Sequence, residues 1–213
     1  MSKSLSELRI DYISKPLDER DADPNPFVMF QRWYDLAVAE NLPEPNAMTV
    51  ATASLDGKPS ARIVLLRGVD ARGFVFFTNY KSRKGEELAS NPFAALVFFW
   101  QPLHRSIRIE GRVERVSAQA SDAYFASRPR GSQLSSAASP QSQVIPNRQM
   151  LETRVKELDA QFPDKVLRPP HWGGYRVLPD VFEFWQGREN RLHDRLRYTR
   201  AKDNTWQVER LAP

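Results

Sequence analysis

The chain has 213 residues, 41% hydrophobic and 27% charged, with 31 Lys and Arg against 26 Asp and Glu for a formal charge of +5. That length fits one large domain or at most two small ones, and can bury roughly 70% of the unfolded surface without covalent staples. The absence of cysteine excludes disulfides, thiolate nucleophiles, iron–sulfur clusters and cysteine zinc sites, and His104, His171 and His193 have no metal-site spacing. No apolar run approaches the roughly 20 residues that span a bilayer, and the first seven residues lack the apolar stretch of a signal peptide. A soluble cytoplasmic protein without membrane contact is the expectation. The positive balance points to an anionic partner, with nucleic acid, phosphate esters and acidic lipid all open.

Residues 1–25 are polar and close on Asp23-Pro24-Asn25-Pro26, which reads as a mobile arm ahead of one domain over 26–213. Phe27, Phe30, Tyr34 and Ala37 then recur at helical spacing, with Pro26 suited to the first helical position and Pro43 and Pro45 stopping the helix. Strands over 48–54 and 60–67 flank the turn Leu55-Asp56-Gly57-Lys58 as a hairpin. A second turn over 68–73 precedes a strand over 74–78. Ser82 caps a short helix that ends before Asn91-Pro92.

Two longer strands over 93–100 and 106–116 lead to a helix over 117–127, closed by Arg128-Pro129. The stretch GSQLSSAASPQSQ, 131–143, has the composition of a flexible linker. An amphipathic helix follows over 148–162, with Leu151, Val155, Leu158 and Phe162 on one stripe. Strands over 174–178, 181–186, 191–198 and 205–210 complete the chain. Some eight strands with helices inserted between hairpins argue for a mainly β fold, an antiparallel barrel with flanking helices. G-x-G-x-x-G and Walker loops are absent, so nucleotide binding by those devices is excluded.

Five groups of residues could carry chemistry. In a strand, Arg191, His193 and Arg195 would share one face across about 13 Å, a row of cations suited to an anion or polar ring, or to a charge-blunted edge strand. Trp185 shares a face with Glu183, opposite Phe182 and Phe184, and could lie against a polar aromatic ligand or cover core. The odd separation of Arg62 and Arg67 sends them to opposite faces of a regular strand, so one phosphate would take both only across a bulge, and two anions or two strand-end charges facing water also fit. Arg83 and Lys84 sit in the first turn of a helix under a Ser cap, where cations oppose the macrodipole unless an anion is shared. Tyr124, Arg128 and Ser132 could surround a second phosphate, or the arginine could cap the helix carbonyls.

Together these stretches closely resemble the pyridoxine/pyridoxamine 5′-phosphate oxidases, FMN enzymes that make pyridoxal 5′-phosphate. RIVLLR, FFTNYKSRKGEEL, YFASRPRGSQ, HWGGYRV, EFWQG and RLHDRLRY stand in the family's order from about Leu8 to Pro213. The resemblance implies a split β-barrel homodimer with FMN at the subunit interface. It implies that Arg62, Arg83, Lys84, Gln141 and Ser142 hold the flavin phosphate and ribityl chain. Ile63, Val64, Leu65, Leu66, Arg67, Phe77 and Thr78 would also contact the cofactor, and Ser106, Trp185 and Arg195 would surround its ring. Arg67, Tyr124, Arg128 and Ser132 would clamp the substrate phosphate, with Arg191, Leu192 and His193 over the pyridine ring. Arg191 and His193 would act in catalysis, and Arg9, Ile10, Asp11 and Tyr12 would belong to a segment folding over the substrate.

Three positions depart from the family pattern. Ser106 stands where glutamine is common, Arg67 replaces a common lysine, and Arg9-Ile10-Asp11-Tyr12 keeps only part of an arginine-rich lid. The implied reaction oxidises the 4′-carbon of pyridoxine or pyridoxamine 5′-phosphate by hydride transfer to the flavin. Dioxygen reoxidises the flavin to give peroxide, and ammonia leaves from the amine substrate. Another split-barrel flavin or deazaflavin reductase should lack the Tyr124/Arg128/Ser132 clamp and RLHDR. A non-enzymatic nucleic-acid binder should gather its basic residues on one face, whereas these arginines are dispersed among short motifs.

Overall fold

The computed structural model describes Ser4 and residues 11–213. Its helices are α1 (Pro26–Ala39), α2 (Arg83–Ser90), α3 (Ala118–Ser127), α4 (Arg130–Ala138) and α5 (Arg148–Gln161). Its strands are β1 (Ala47–Ala53), β2 (Pro59–Leu65), β3 (Gly68–Asp70), β4 (Gly73–Asn79), β5 (Phe93–Trp100), β6 (Arg105–Arg115), β7 (Trp172–Gln186), β8 (Asp194–Arg200) and β9 (Trp206–Arg210). They form one sheet in the order β2-β1-β5-β6-β7-β4-β3, with β8 on β7 and β9 on β8. The β3–β4, β4–β7, β7–β8 and β8–β9 ladders are antiparallel. A mainly β fold with helices inserted between strands is therefore as expected.

The chain divides into two compact units. One joins the residues up to Thr49 with Leu96–Glu110 and Pro179–Pro213, and the other joins Val50–Ala95 with Gly111–Leu178. In the first, α1 buries Met29, Phe30, Trp33 and Ala37. Phe30 meets Phe98 edge-on at 5.3 Å, Trp33 meets Phe184 at 5.3 Å, and Phe184 meets Tyr198 at 5.5 Å. Pro26 opens this helix and Asn25 caps it by accepting from Phe27 N. In the second unit, Phe125, Leu134, Ala138, Leu158, Val166 and Trp172 form a buried cluster under α3, α4 and α5.

Four expectations about elements change. The apparent linker at 131–143 contains α4, because Leu134 and Ala138 lie one turn apart and bury against the second core despite the serines around them. The turn at 68–73 includes β3, a three-residue strand paired with the start of β4. The two strands expected at 174–178 and 181–186 are one fifteen-residue strand, β7, continuous through Pro179. Its first half pairs with β4 and its second with β8.

The fourth change matters most for function. The strand expected from Arg191 begins only at Asp194. Glu189–Arg191 is a 3-10 turn with Asn190 at φ 56° and Arg191 at φ 62°, closed by Leu192 N donating to Glu189 O. Arg191, His193 and Arg195 therefore do not share a strand face.

The start of α2 is built against the end of β4. Ser82 is fully buried, accepts from Gly85 N and donates to Asn79 O. A Cβ on Gly85 would stand 2.2 Å from Tyr80 O and 2.5 Å from its carbonyl carbon, both backbone atoms that cannot swing aside. Gly85→Ala should cost about 3 kcal/mol, the upper range for overpacking against an unyielding wall. A urea denaturation midpoint close to wild type would show that α2 can shift without penalty.

Candidate active site

A cavity of about 420 Å³ in the second unit collects residues from β2, β4, α2, α3 and the stretch after α4. Arg62, Arg67, Lys84 and Arg128 line it with Thr78, Gln141, Ser136, Tyr124, Phe77 and Trp172. Ile63, Val64 and Leu65 of β2 line it too, whereas Leu66 turns into the core. The opposite-face argument for Arg62 and Arg67 fails because β2 ends at Leu65. Arg67 lies past the strand, where alternation no longer applies, and both arginines reach one cavity.

Lys84 is buried, and its ammonium donates to Thr78 Oγ1 at 3.0 Å, Ser82 Oγ at 3.2 Å and Gln141 Oε1 at 2.9 Å. All three acceptors are neutral, and no carboxylate among the described residues pairs with it. Burial, and then the nearby Arg62, lower its pKa to about 8. Arg62 donates to Thr52 Oγ1 and Ser60 Oγ, each at 2.5 Å. Arg83 sits in the same first turn as expected but turns to Glu87 at 2.8 Å, its side chain 60% exposed. Gln141 lines the cavity, while Ser142, at φ 72°, is exposed and outside its lining.

The expected substrate clamp is only partly assembled in this cavity. Phe77 stacks on Tyr124 at 3.9 Å, the Arg67 guanidinium lies 5.9 Å from the Tyr124 ring centre, and that of Arg128 lies 4.9 Å from a ring of Trp172. Burial, and to a lesser degree Arg67, lower the Arg128 pKa from its ordinary value. Ser132 lines a second cavity of about 390 Å³, which shares Arg128, Ser136, Gln141 and Trp172 with the first. Arg128 donates to Ser136 Oγ at 2.8 Å, a partner that the linker-like composition of 131–143 conceals.

In the first unit, Ser106, Arg108, Glu183 and Trp185 line a cavity of about 420 Å³ with Val97 and Phe99. Glu183 is 5% exposed and accepts from Arg195 Nε at 2.8 Å and Arg108 Nη2 at 2.7 Å. Neither Glu183 nor Arg108 was singled out as a site residue, although Glu183 lies two residues before Trp185 on one strand face.

Tyr12, His104, His193 and Trp185 gather nearby. Tyr12 meets His104 at 4.6 Å and both Trp185 and His193 at 5.8 Å, and Trp185 lies 4.7 Å from His193. Gly187 admits this approach: a Cβ there would stand 2.8 Å from the Tyr12 ring. Arg188 N donates to His193 Nδ1 at 3.1 Å, which places any proton of the neutral ring on Nε2. Burial, then Arg191, lower the His193 pKa, so the neutral ring prevails near pH 7. Arg191, Leu192 and Asp11 are exposed. Arg9 and Ile10 lie outside the described residues.

These features define a class: a mainly antiparallel split-barrel fold of the kind found in flavin-binding proteins, carrying a cation-lined cavity. Residues 35–162 match the family model described as pyridoxamine 5′-phosphate oxidase, and 172–213 match the pyridoxine 5′-phosphate oxidase C-terminal dimerisation region. The chain belongs to the pyridoxine/pyridoxamine 5′-phosphate oxidase family.

It is 59% identical over 212 residues to the pyridoxine/pyridoxamine 5′-phosphate oxidase of Burkholderia multivorans, covering 99% of both chains. It is 58% identical over 211 residues to that of Paraburkholderia phytofirmans, again over 99% of both. A solved structure of PhzG from Burkholderia lata, in complex with tetrahydrophenazine-1-carboxylic acid, superposes with TM-score 0.88 at 33% identity, covering 94% of this chain and 99% of that one. An FMN binding protein from Nostoc punctiforme, related to pyridoxamine 5′-phosphate oxidase, shares the fold at TM-score 0.73 and 17% identity, covering 90% of this chain and all of that one.

Removing the Glu183 carboxylate would leave Arg108 and Arg195 without the group that draws them together. Glu183→Ala should cost about 2 kcal/mol, less than for a fully buried pair because both guanidiniums keep some water. Equilibrium urea unfolding reads this directly, and an unchanged midpoint would mean the carboxylate contributes nothing.

Proposed function

We propose that this pyridoxamine/pyridoxine 5′-phosphate oxidase uses FMN to oxidise pyridoxine 5′-phosphate and pyridoxamine 5′-phosphate to pyridoxal 5′-phosphate. The observation that carries the reading is the buried Lys84 ammonium, bonded only to neutral oxygens beside Arg62, in one cavity with Arg67 and Arg128. Two groups of cations in one cavity match two phosphorylated ligands, a cofactor and a substrate. The charge does not favour nucleic acid, because many exposed arginines already face carboxylates, as in Arg148–Glu152, Arg154–Glu157 and Arg197–Glu209.

Arg62, Lys84, Thr78 and Gln141 would hold the FMN phosphate and ribityl chain, with Arg83 and Ser142 reached from the same segments. Ser106, Trp185 and Arg195 would receive the ring system, with Trp185 supplying an aromatic face. The dimerisation region supports a homodimer, and the FMN sites are proposed to lie at its interface. When bound, FMN would supply the two-electron acceptor for the substrate 4′-carbon, with dioxygen as the final oxidant reduced to hydrogen peroxide and water releasing ammonia from the oxidised amine substrate.

The chain's own part is binding and positioning. Arg67, Arg128, Tyr124 and Ser132 would fix the substrate phosphate, so binding energy remote from the reacting carbon orients it. Arg195, locked by Glu183, holds a positive charge that favours an electron-rich ring. His193 offers an Nε2 proton as donor to the pyridine ring or its substituent, and Tyr12 covers His193 and Trp185 against water. Arg191 would bond the substrate from the exposed turn.

Purified protein loaded with FMN should form pyridoxal 5′-phosphate from pyridoxine 5′-phosphate and fail with unphosphorylated pyridoxine. Arg128→Ala should raise KM for the phosphorylated substrate about tenfold to a hundredfold, the cost of a charged hydrogen bond, with flavin content unchanged. Equal turnover of both substrates, or loss of flavin with unchanged KM, contradicts the assignment.

A further inference from the structure

We infer that Glu87 is the positioning residue of the phosphate cradle, a buried carboxylate that aims the Arg62 guanidinium into the cavity it shares with Lys84 and holds that of Arg83 at the start of the same helix. The inference rests on the reading of that cavity as the FMN phosphate site. Glu87 lies one turn after Arg83 on α2 and is 5% exposed. Arg83 Nε donates to Glu87 Oε1 at 2.8 Å, and Arg62 Nη2 stands 3.5 Å from Oε2. A single carboxylate thus touches two of the three cations assigned to the phosphate.

The hold on Arg62 is stronger than 3.5 Å implies, because two hydroxyls relay it. Ser60 Oγ donates to Glu87 Oε2 at 2.6 Å, and Thr52 Oγ1 donates to the same oxygen. With their protons committed to Glu87, both hydroxyls present lone pairs to Arg62, which donates to Ser60 Oγ through Nη2 and to Thr52 Oγ1 through Nη1. The arginine fork is therefore aimed by a carboxylate it barely touches. Burial raises the Glu87 pKa, but hydrogen bonds from Ser60, Thr52 and Arg83 outweigh this and bring it to about 2, so the anchor stays charged at any working pH.

The charge count agrees. Arg62, Arg83 and Lys84 with Glu87 leave an excess of two positive charges, matching a phosphate monoester that carries nearly two negative charges at pH 7. Without Glu87 the three cations would repel one another and the hydroxyls would lose their acceptor, so the cradle would open before the phosphate arrives.

The test is to titrate apoprotein with FMN and with riboflavin, following flavin fluorescence, in wild type, Glu87→Ala and Glu87→Gln. A positioning role for the phosphate ligands predicts that Glu87→Ala weakens FMN at least about tenfold. Riboflavin, which lacks the phosphate, should change by less than about threefold. Glu87→Gln keeps the side chain's size and a hydrogen-bond acceptor without the charge, and should lie between the two. It also serves if the alanine variant does not fold. Inorganic phosphate should raise the melting temperature of the wild-type apoprotein, raise that of Glu87→Gln by less, and leave that of Glu87→Ala unchanged. Equal loss of FMN and riboflavin, or FMN binding unchanged or tighter in the variants, would overturn the inference. If wild type binds FMN no better than riboflavin, the failure lies with the cavity reading itself.

Discussion

A buried ammonium without a carboxylate is costly to fold, and the second unit is built around one. Lys84 is held against three neutral oxygens, from β4, the α2 cap and the segment after α4. Each needs its own support. Ser82 can both cap α2 and accept from Lys84 because Gly85 lets the helix start against the backbone of Tyr80. Gln141 also accepts from Thr78, so one side chain ties the strand end to the chain beyond α4. On the proposed function, the uncompensated charge would make the cavity a receptor for an anion before any ligand is present.

The first unit solves a different problem. There the cations are not left bare: Glu183 joins Arg108 to Arg195, and Glu110 takes Arg108 again at 2.7 Å. This offsets much of the charge and fixes the direction of both guanidiniums, which suits a polar ring rather than a phosphate. Described residues before α1 are tied to the same unit. Leu17 N donates to Asp194, Arg210 bonds Leu17 O, Asp194 and Glu19, and Tyr198 donates to Asp23 O. These bonds carry Tyr12 to His193 and Trp185.

Much of the fold was legible where local signals marked an element's start, as at α1, opened by Pro26, and α2, capped by Ser82. Composition misled at α4, where three serines and a glutamine hid two buried residues one turn apart. The RLHDR reading failed for a different reason. Alternation assumes a strand, and nothing local in Glu189-Asn190-Arg191 announces two consecutive left-handed residues except the asparagine. The cations of the site were visible as residue types in short motifs. Their carboxylate partners were not, because Glu87 and Glu183 act through contacts from distant segments, of which only the Arg83–Glu87 spacing of four was readable.

On the proposed function, the Lys84 ammonium is left uncompensated so that a phosphate can complete it. In the free protein its pKa is about 8, and an adjacent dianion must raise it. Above pH 8, therefore, FMN binding must take up a proton, and affinity must fall as pH rises. Calorimetric titration of apoprotein with FMN at about pH 8.5, in buffers of different ionisation enthalpy, measures that proton directly. The account predicts net proton uptake that disappears in Lys84→Met. A binding heat independent of buffer in the wild-type protein would contradict it.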